Sequence, residues 1–499
     1  MAAIAVDAGT TMIKAVGYDD EGREMVVARR PAAVNRPHPG WVEQDMRVVW
    51  DAVSQCIRNV AAQLPTPVDF LAVTGQGDGS WLIDENGEPT GPAILWNDGR
   101  AGDIVEAWRR EGTLERAFIK NGSVTFAGLP NAILTWLGKN DPGRLRASTS
   151  SLTCDGWLFF KLTGIRAVDG SDGAAPFMDI RTREYSAEVF EAYEMPWAKD
   201  LMPAILSDTD RSRPLRADVA ASLGLSRSTP VIMASYDIAA TSIGAGAILP
   251  GQACCILGTT LCTEVVTDGI DTGGEPAGLT VGLGVEGRYL RALPTLAGGE
   301  VIQWACSVLN CSTPVEFTEL AYHSPRGANG LIFLPYLSPA GERAPFLDSS
   351  ARGSFFGLSL EHRREDLARA VLEGLTFVIR DCLEAAGPAP AELRVCGGGA
   401  DNTRWLQLIA DMTGVPVRKL TDTEVGARGA YLLGLTSTRA ASTIEAAVGA
   451  HVRISTSFDP SPESARFYDR LYRNFLELRE SARGAWPLLV RMREQSVTL

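Results

Sequence analysis

The chain has 499 residues, the length of about two or three domains, and its 45% apolar and 21% charged residues are those of an ordinary globular protein, not a disordered one. A formal charge of −13, with no stretch that gathers Lys and Arg among aromatics, works against a phosphate backbone, so nucleic acid is not an expected partner. No apolar run reaches membrane-spanning length and no signal-peptide pattern opens the chain, so no membrane association is expected and the cytoplasm is the expected compartment.

Residues 4–20, IAVDAGTTMIKAVGYDD, predict a hairpin: an apolar strand carrying Asp7, a tight turn at Gly9-Thr10-Thr11, and a second strand with Lys14. Backbone N–H groups and the Thr10 and Thr11 hydroxyls gathered in one turn suit phosphate oxygens; equally, such hydroxyls can satisfy their own backbone. Asp7 beside phosphate would be repelled unless a cation such as Mg²⁺ lay between them, and Lys14 either neutralises phosphate or is solvated. HPGWVEQD, 38–45, reads as a surface loop and helix cap or as a substrate contact. FLAVTGQG (70–77), TPVIMAS (229–235), GLIFLPYL (330–337) and ELRVCGGG (392–399) read as buried strands ending in polar or glycine-rich turns. In ASYDIAATSIGAGA, 234–247, Asp237 follows an apolar strand and enters a run of small residues. It is either a helix N-cap or the carboxylate that accepts the hydroxyl proton in phosphoryl transfer to an alcohol.

CCILGTTLCTEVVTD, 254–268, overlays AVDAGTTMIKAVGYD, 5–19, without a gap, so Gly258-Thr259-Thr260 falls on Gly9-Thr10-Thr11 and Asp268 on Asp19. Two related domains, 1–248 and 249–499, follow from this repeat and from the turn at Pro250-Gly251. Residues 364–387 and 402–414 predict helices, the first with a terminal glycine. CGGGADN, 396–402, joins a strand to a helix; its glycines either admit an anionic or flat ligand or serve packing alone. CGGGADN does not have GxGxxG spacing, and no Walker GxxxxGK(S/T) occurs in the chain. The nine cysteines lack CxxC spacing and the four histidines are far apart, which predicts reduced core thiols and no protein-built zinc site. The expected class is α/β, with two domains and a cleft between them.

GSFFGLSLEHRREDLARAVLE, 353–373, resembles the second signature of the FGGY carbohydrate kinases at its fixed positions: Gly353, Phe355, Gly357, Leu358, Asp366, Leu367, Ala370, Val371, Leu372 and Glu373. GLIFLPYLSPAGERAPFLDSSARGSFFG, 330–357, is similar to the xylulokinase branch with an interruption at Pro339-Ala340, and the similarity runs over essentially the whole chain. The resemblance implies two actin-like, ribonuclease-H-like domains with ATP and substrate in the cleft, the N-terminal one binding the sugar or polyol and the C-terminal one the nucleotide. It implies Asp237 as general base and Asp7 as its catalytic companion, with both near Mg²⁺ directly or through water. It implies ATP contacts from Thr10, Thr11, Lys14, Gly258, Thr259, Thr260, Gly299, Gln303, Gly398, Gly399 and Asn402, and substrate contacts from Gln76, Gly77, Asp78, Asn97 and Asp98.

TGQGDGSWLID, 74–84, stands where xylulokinases have GQMHG and is similar to erythritol and other polyol kinases, whereas LWNDGRA, 95–101, is xylulokinase-like. GLPNAILTWLGKN, 128–140, keeps Trp136-Leu137 of the first signature but has Asn131 where Lys is usual. The expected activity is ATP-dependent phosphorylation of a ketopentose such as xylulose, or of a tetritol or pentitol, and a homodimer is compatible with it. An actin- or Hsp70-like ATPase and a non-catalytic sugar-binding regulator are the alternatives on the same fold.

Overall fold

The computed structural model describes residues 2–172 and 176–497. Two compact units are present. The first joins Met1–Pro250 to Val266–Leu290 and Glu424–Val452; the second comprises Gly251–Val265, Arg291–Thr423 and Arg453–Leu499. The units are therefore not collinear with a single division at 248–250, because two later segments return to the first unit.

The first unit is built on a six-stranded sheet in the order Ser212–Pro214, Pro230–Met233, Val68–Gly75, Ala2–Ala8, Met12–Tyr18, Glu24–Pro31. Ala2–Ala8 and Met12–Tyr18 form the expected hairpin, with Asp7 opposite Lys14; Val68–Gly75 and Pro230–Met233 add in parallel. Period-two alternation decides which face each side chain takes. Ile4 and Val6 join Leu71, Val73, Val231 and Met233 in a core closed by Val49, Val53, Ile57 and Val60 of helix Met46–Ala61 and by Trp157 and Leu158 of helix Cys154–Thr163. Asp45 caps the first of these helices, accepting from Arg47 N at 2.8 Å, as the helix-cap reading of 38–45 expects.

On the other face of the first unit's sheet, helix Val425–Ser437 packs against strands Ala2–Ala8 and Val68–Gly75, with Tyr431 stacked on Tyr18 and Phe70. That helix also lies in backbone contact with helix Asp237–Gly244. A Cβ on Gly429 would stand 1.8 Å from the Ala240 carbonyl oxygen, and one on Gly244 would stand 1.9 Å from that of Val425. Only glycine allows helices so close.

In the second unit, strands Leu261–Thr267, Gln252–Leu257, Glu392–Cys396, Val417–Leu420 and Ile454–Phe458 run in that order: an antiparallel hairpin, two parallel additions, then an antiparallel edge. The first unit has the same sequence of pairings from Met12–Tyr18 to Ser212–Pro214. The repeat read from the two Gly-Thr-Thr turns is thus a repeat of topology. The two expected helices span Arg364–Ala386 and Thr403–Thr413, and Ile332–Leu334 forms the strand expected within 330–337. All nine cysteines are buried free thiols. Among the described residues no helix is long and apolar enough to cross a membrane.

The glycine contact generates a prediction. Gly429→Ala should force the two helices apart and destabilise the protein by about 1–3 kcal/mol or more, read as a lowered calorimetric melting temperature. An unchanged melting temperature would mean that the helices can separate without cost.

Candidate active site

In the first unit, two carboxylates expected at the site, Asp7 and Asp78, act on a third, Asp237. Asp237 is the first residue of helix Asp237–Gly244, directly after strand Pro230–Met233 and a three-residue link. Burial pushes its carboxyl well above the ordinary range, and the charges of Asp7, Asp78 and Asp155 push it further. Asp7 is also raised, by burial first; Lys14 opposes the rise and Glu424 reinforces it. Both carboxylates keep partial exposure. The site is short of positive charge, and an oxygen-ligated divalent cation is what such a donor set fits.

Lys14 does not project alone from its strand. Its Nζ lies 2.8 Å from Glu424 Oε2, and Arg29 Nε donates to Glu424 Oε1 at 3.0 Å. Burial works against the charge on Glu424, but the hydrogen bonds from Lys14 and Arg29 prevail and hold it below the ordinary range. Glu424 begins the segment that returns to the first unit. On the same segment, Gly426 leaves room for Asp7, since a Cβ there would meet Asp7 Oδ2 at 2.9 Å.

Several expected ligand contacts are instead used within the protein. The Thr10 hydroxyl donates to Gln76 Oε1 at 2.9 Å and accepts from Trp96 Nε1 at 2.9 Å. Gln76 Nε2 in turn donates to Gln44 Oε1 at 2.8 Å, and Gln44 Nε2 donates to the Thr10 carbonyl at 3.0 Å. The buried Gln76 amide therefore ties the first turn to the substrate segment. Thr11 is exposed.

Asp98 is buried in a fork with Arg100: Nε to Oδ1 is 2.9 Å, Nη2 to Oδ2 is 2.8 Å, and Val42 N donates to Oδ2 at 2.6 Å. Arg100 also reaches Glu43 Oε1 at 2.7 Å and stacks 3.9 Å from the Trp41 ring centroid. Asp98 thus holds the 38–45 loop in place, and its neighbour Asn97 is exposed. Asp78 and Gly79 follow one another with φ of 56° and 71°, a left-handed pair that turns the chain sharply after Gln76-Gly77. Asn131, the departure from the first signature, is buried and donates to Thr125 Oγ1 at 3.2 Å.

A second acidic group lies behind these residues. Ligand oxygens of Asp155, Asp169 and Asp172 lie within 4.8 Å of one another, and all three residues are buried. Thr153 Oγ1 donates to Asp155 Oδ1 at 2.7 Å and Ser171 Oγ to Asp169 Oδ1 at 2.6 Å, whereas among the described residues neither oxygen of Asp172 receives a hydrogen bond. Burial raises Asp169 to about 6 and Asp172 well above the ordinary range, the latter with help from the charges of Asp155 and Asp169. A proton held between Asp172 and its neighbours relieves this repulsion.

In the second unit, the turn Gly258-Thr259-Thr260 meets the start of helix Gly299–Val308. Gly299 N donates to the Gly258 carbonyl at 3.0 Å and Glu300 N to that of Thr259 at 3.1 Å. A Cβ on Gly298 or Gly299 would stand 2.5 or 2.6 Å from this turn. Gln303 is exposed on the same helix. Gly397-Gly398-Gly399 wraps the end of strand Gln252–Leu257. Gly397 has φ 85° and no room for a Cβ beside Leu257, Gly399 is equally tight against Leu257 and Trp405, and Gly398 faces open space. Asn402 is a helix cap: its Oδ1 accepts from Trp405 N at 3.0 Å and its Nδ2 donates to Thr318 Oγ1 at 2.6 Å.

The family model described as the N-terminal domain of the FGGY family of carbohydrate kinases matches residues 2–244, and that of the C-terminal domain matches 253–438. The chain belongs to the FGGY family of carbohydrate kinases. It is 32% identical to an erythritol kinase of Brucella abortus over 97% of both chains. It is 30% identical to a xylulose kinase of Escherichia coli over 85% of this chain and 87% of that one. Among solved structures, a xylulose kinase from Rhodospirillum rubrum superposes with a TM-score of 0.88 at 28% identity, covering 97% of this chain and 100% of that one. A ligand-bound xylulose kinase from Lactobacillus acidophilus shares the fold, with a TM-score of 0.92 at 24% identity over 98% and 99% of the two chains. The protein is thus an enzyme, a carbohydrate kinase with the two-domain α/β fold of the FGGY family.

Sequence reasoning missed Gln44, Trp96 and Glu424, whose partners Gln76, Thr10 and Lys14 lie far away in the chain, and Arg100, whose partner Asp98 is two residues away. It also passed over the acidic group, although VDGSD, 168–172, shows two acidic residues three apart beside a strand.

The acidic group predicts a pH dependence of stability. Asp169 and Asp172 titrate higher folded than the ordinary 3.8, so the folded state holds more protons and stability falls as pH rises from about 4 through 6 and beyond. Asp172→Asn keeps the packing and supplies a donor without the charge. Urea midpoints measured from pH 4 to pH 8 should fall less steeply for this variant than for the parent, and parallel curves would refute the shared-proton reading.

Proposed function

We propose that the protein transfers the γ-phosphoryl group of ATP to a hydroxyl of a small polyol or ketose, with Asp237 as the general base. What supports this reading is that Asp7 and Asp78, on two other segments, bear electrostatically on the buried Asp237 in a chain that belongs to a carbohydrate kinase family. Asp237 accepts the proton of the acceptor hydroxyl as that oxygen attacks phosphorus, and the bond from phosphorus to the bridging oxygen of ADP breaks. Asp7 and Asp237 would hold Mg²⁺ directly or through water, and the ion would supply the positive charge that screens these carboxylates from the triphosphate.

Thr11 and the backbone amides of the first turn are the proposed phosphate donors in the first unit. The Thr10 hydroxyl proton is already given to Gln76, so its role is to hold the turn against the substrate segment. Lys14, paired with Glu424, carries a shared charge to the triphosphate. In the second unit, Gly258, Thr259 and Thr260, with Gly299, Gln303, Gly398 and Gly399, are proposed for the nucleotide. Asn402 contributes by capping the helix that follows. Gln76 and Asp98 shape the acceptor site through Gln44 and Arg100, while Gly77, Asp78 and Asn97 remain the proposed contacts.

A polyol is the favoured acceptor. A carboxylate accepts hydrogen bonds only, and a polyol offers an O–H donor at every carbon, whereas a ketose presents a bare carbonyl oxygen at one. The erythritol kinase relative is consistent with this preference and the xylulose kinases mark the ketose alternative. ADP release measured over glycerol, tetritols, pentitols and ketopentoses tests the reading directly. Turnover of ATP without any added acceptor would support the ATPase alternative.

Asp237→Asn should leave nucleotide binding near the parent value and lower kcat by ~10²–10⁴, followed by coupled ADP assay and calorimetric titration. A loss under about tenfold where chemistry limits would remove Asp237 from the base role. For Asp78, the ratio of kcat/KM on a matched pair such as xylitol and xylulose should shift by about tenfold to a hundredfold in Asp78→Asn or Asp78→His. A ratio that stays fixed in both variants refutes the specificity role even if overall activity drops.

A further inference from the structure

Tyr236 immediately precedes Asp237, and its ring lies on the backbone of Gly77, which immediately precedes Asp78. A Cβ built on Gly77 would stand 2.2 Å from Cδ2 and 2.5 Å from Cε2 of that ring. The space a side chain at 77 would take is therefore filled by the tyrosine. Its main chain is anchored on both sides: Tyr236 N donates to Ser171 Oγ at 3.0 Å, and its carbonyl accepts from Ala240 N at 2.9 Å in the first turn of helix Asp237–Gly244. At 5% exposure the side chain is enclosed. The facing segment is constrained as well, since Gln76 is held by Thr10 and Gln44, and the chain turns through the left-handed pair Asp78-Gly79. Close packing transmits displacement between such segments because neither can absorb it alone.

We propose that Tyr236 is a positioning residue whose ring sets the spacing between Asp78 and Asp237, and so the length of acceptor that can reach both carboxylates. The inference rests on the kinase reading above. An acceptor hydroxyl held at Asp78 and the hydroxyl phosphorylated at Asp237 must be separated by a chain that matches this spacing. Removing the ring lets the segment bearing Gly77 relax toward the helix, and adding a Cβ at Gly77 pushes it away. Either change alters which acceptor fits, while Asp237 itself stays in place on its helix.

The test measures kcat/KM for linear polyols of three to six carbons, together with melting temperatures, in the parent, Tyr236→Phe, Tyr236→Ala, Gly77→Ala and the double variant Gly77→Ala/Tyr236→Ala. Tyr236→Phe keeps the ring and should keep the parent's length preference. Tyr236→Ala should change the ratio of kcat/KM between adjacent chain lengths by on the order of tenfold, since one methylene is worth that much in a fitted pocket. Gly77→Ala should lower the melting temperature, and the double variant should recover part of that loss because the new Cβ enters the vacated space. If Tyr236→Ala fails to fold, Tyr236→Leu carries the same comparison.

An active parent whose length ratio is unmoved in Tyr236→Ala or Tyr236→Leu overturns this proposal alone. A parent with no acceptor-dependent ADP release overturns it together with the kinase reading. A Gly77→Ala variant that melts with the parent and keeps its length ratio removes the contact on which the proposal stands.

Discussion

The close approach of helices Asp237–Gly244 and Val425–Ser437 is the constraint on which the site in the first unit depends. Backbone meets backbone at Gly244 and Gly429, so the distance between these helices is set by peptide groups and not by adjustable side chains. Asp237 stands at the head of one helix, and Glu424 and Gly426 stand at the head of the other. Fixing one against the other fixes Glu424 against Lys14 and leaves Asp7 the width of a missing Cβ. A side chain at either glycine would loosen the geometry before it reached any group that handles substrate.

The electrostatics follow from that enclosure. The carboxylates at Asp7 and Asp237 are desolvated and oppose each other, while Lys14 and Arg29 are committed to Glu424. The described part of the site thus carries more negative charge than its own cations cover, and a divalent cation would supply the complementary charge. The acidic group at Asp155, Asp169 and Asp172 meets the same difficulty farther from solvent, where a proton is the available remedy.

Much of this was legible in the sequence, for reasons that are local. Both hairpins announce themselves by alternation and a Gly-Thr-Thr turn, and Asp237 is marked by an apolar strand ending in a polar residue before a small-residue helix. Those signals span fewer than fifteen residues or so, the range over which period and turn chemistry operate. The uses of Gln76, Asp98 and Asn402 were not legible, because an amide or carboxylate reads alike whether it faces a ligand or a partner. What decides is Gln44, Arg100 or Thr318, placed by the tertiary fold. For Asp98 even adjacency misled: Arg100 is two residues away, but only the turn of the chain and the stacking on Trp41 reveal the pair as an internal brace. The return of Glu424–Val452 to the first unit leaves no mark in composition or periodicity, since a helix with small residues reads the same wherever it packs.

That return has a consequence for the order of events during synthesis. Strands Ala2–Ala8 and Val68–Gly75 leave the ribosome early, but the helix that covers one of their faces is encoded beyond residue 424. Until then the nascent first unit carries a sheet with one face uncovered, flanked by the small-residue helix Asp237–Gly244, and a buried-type carboxylate at Asp7 that still has water. Vectorial folding from the N-terminus cannot close this unit by itself. Its completion waits for most of the second unit to be translated, so the two halves of the chain mature together, and a chain truncated before residue 424 would leave that face exposed instead of folding as an independent domain.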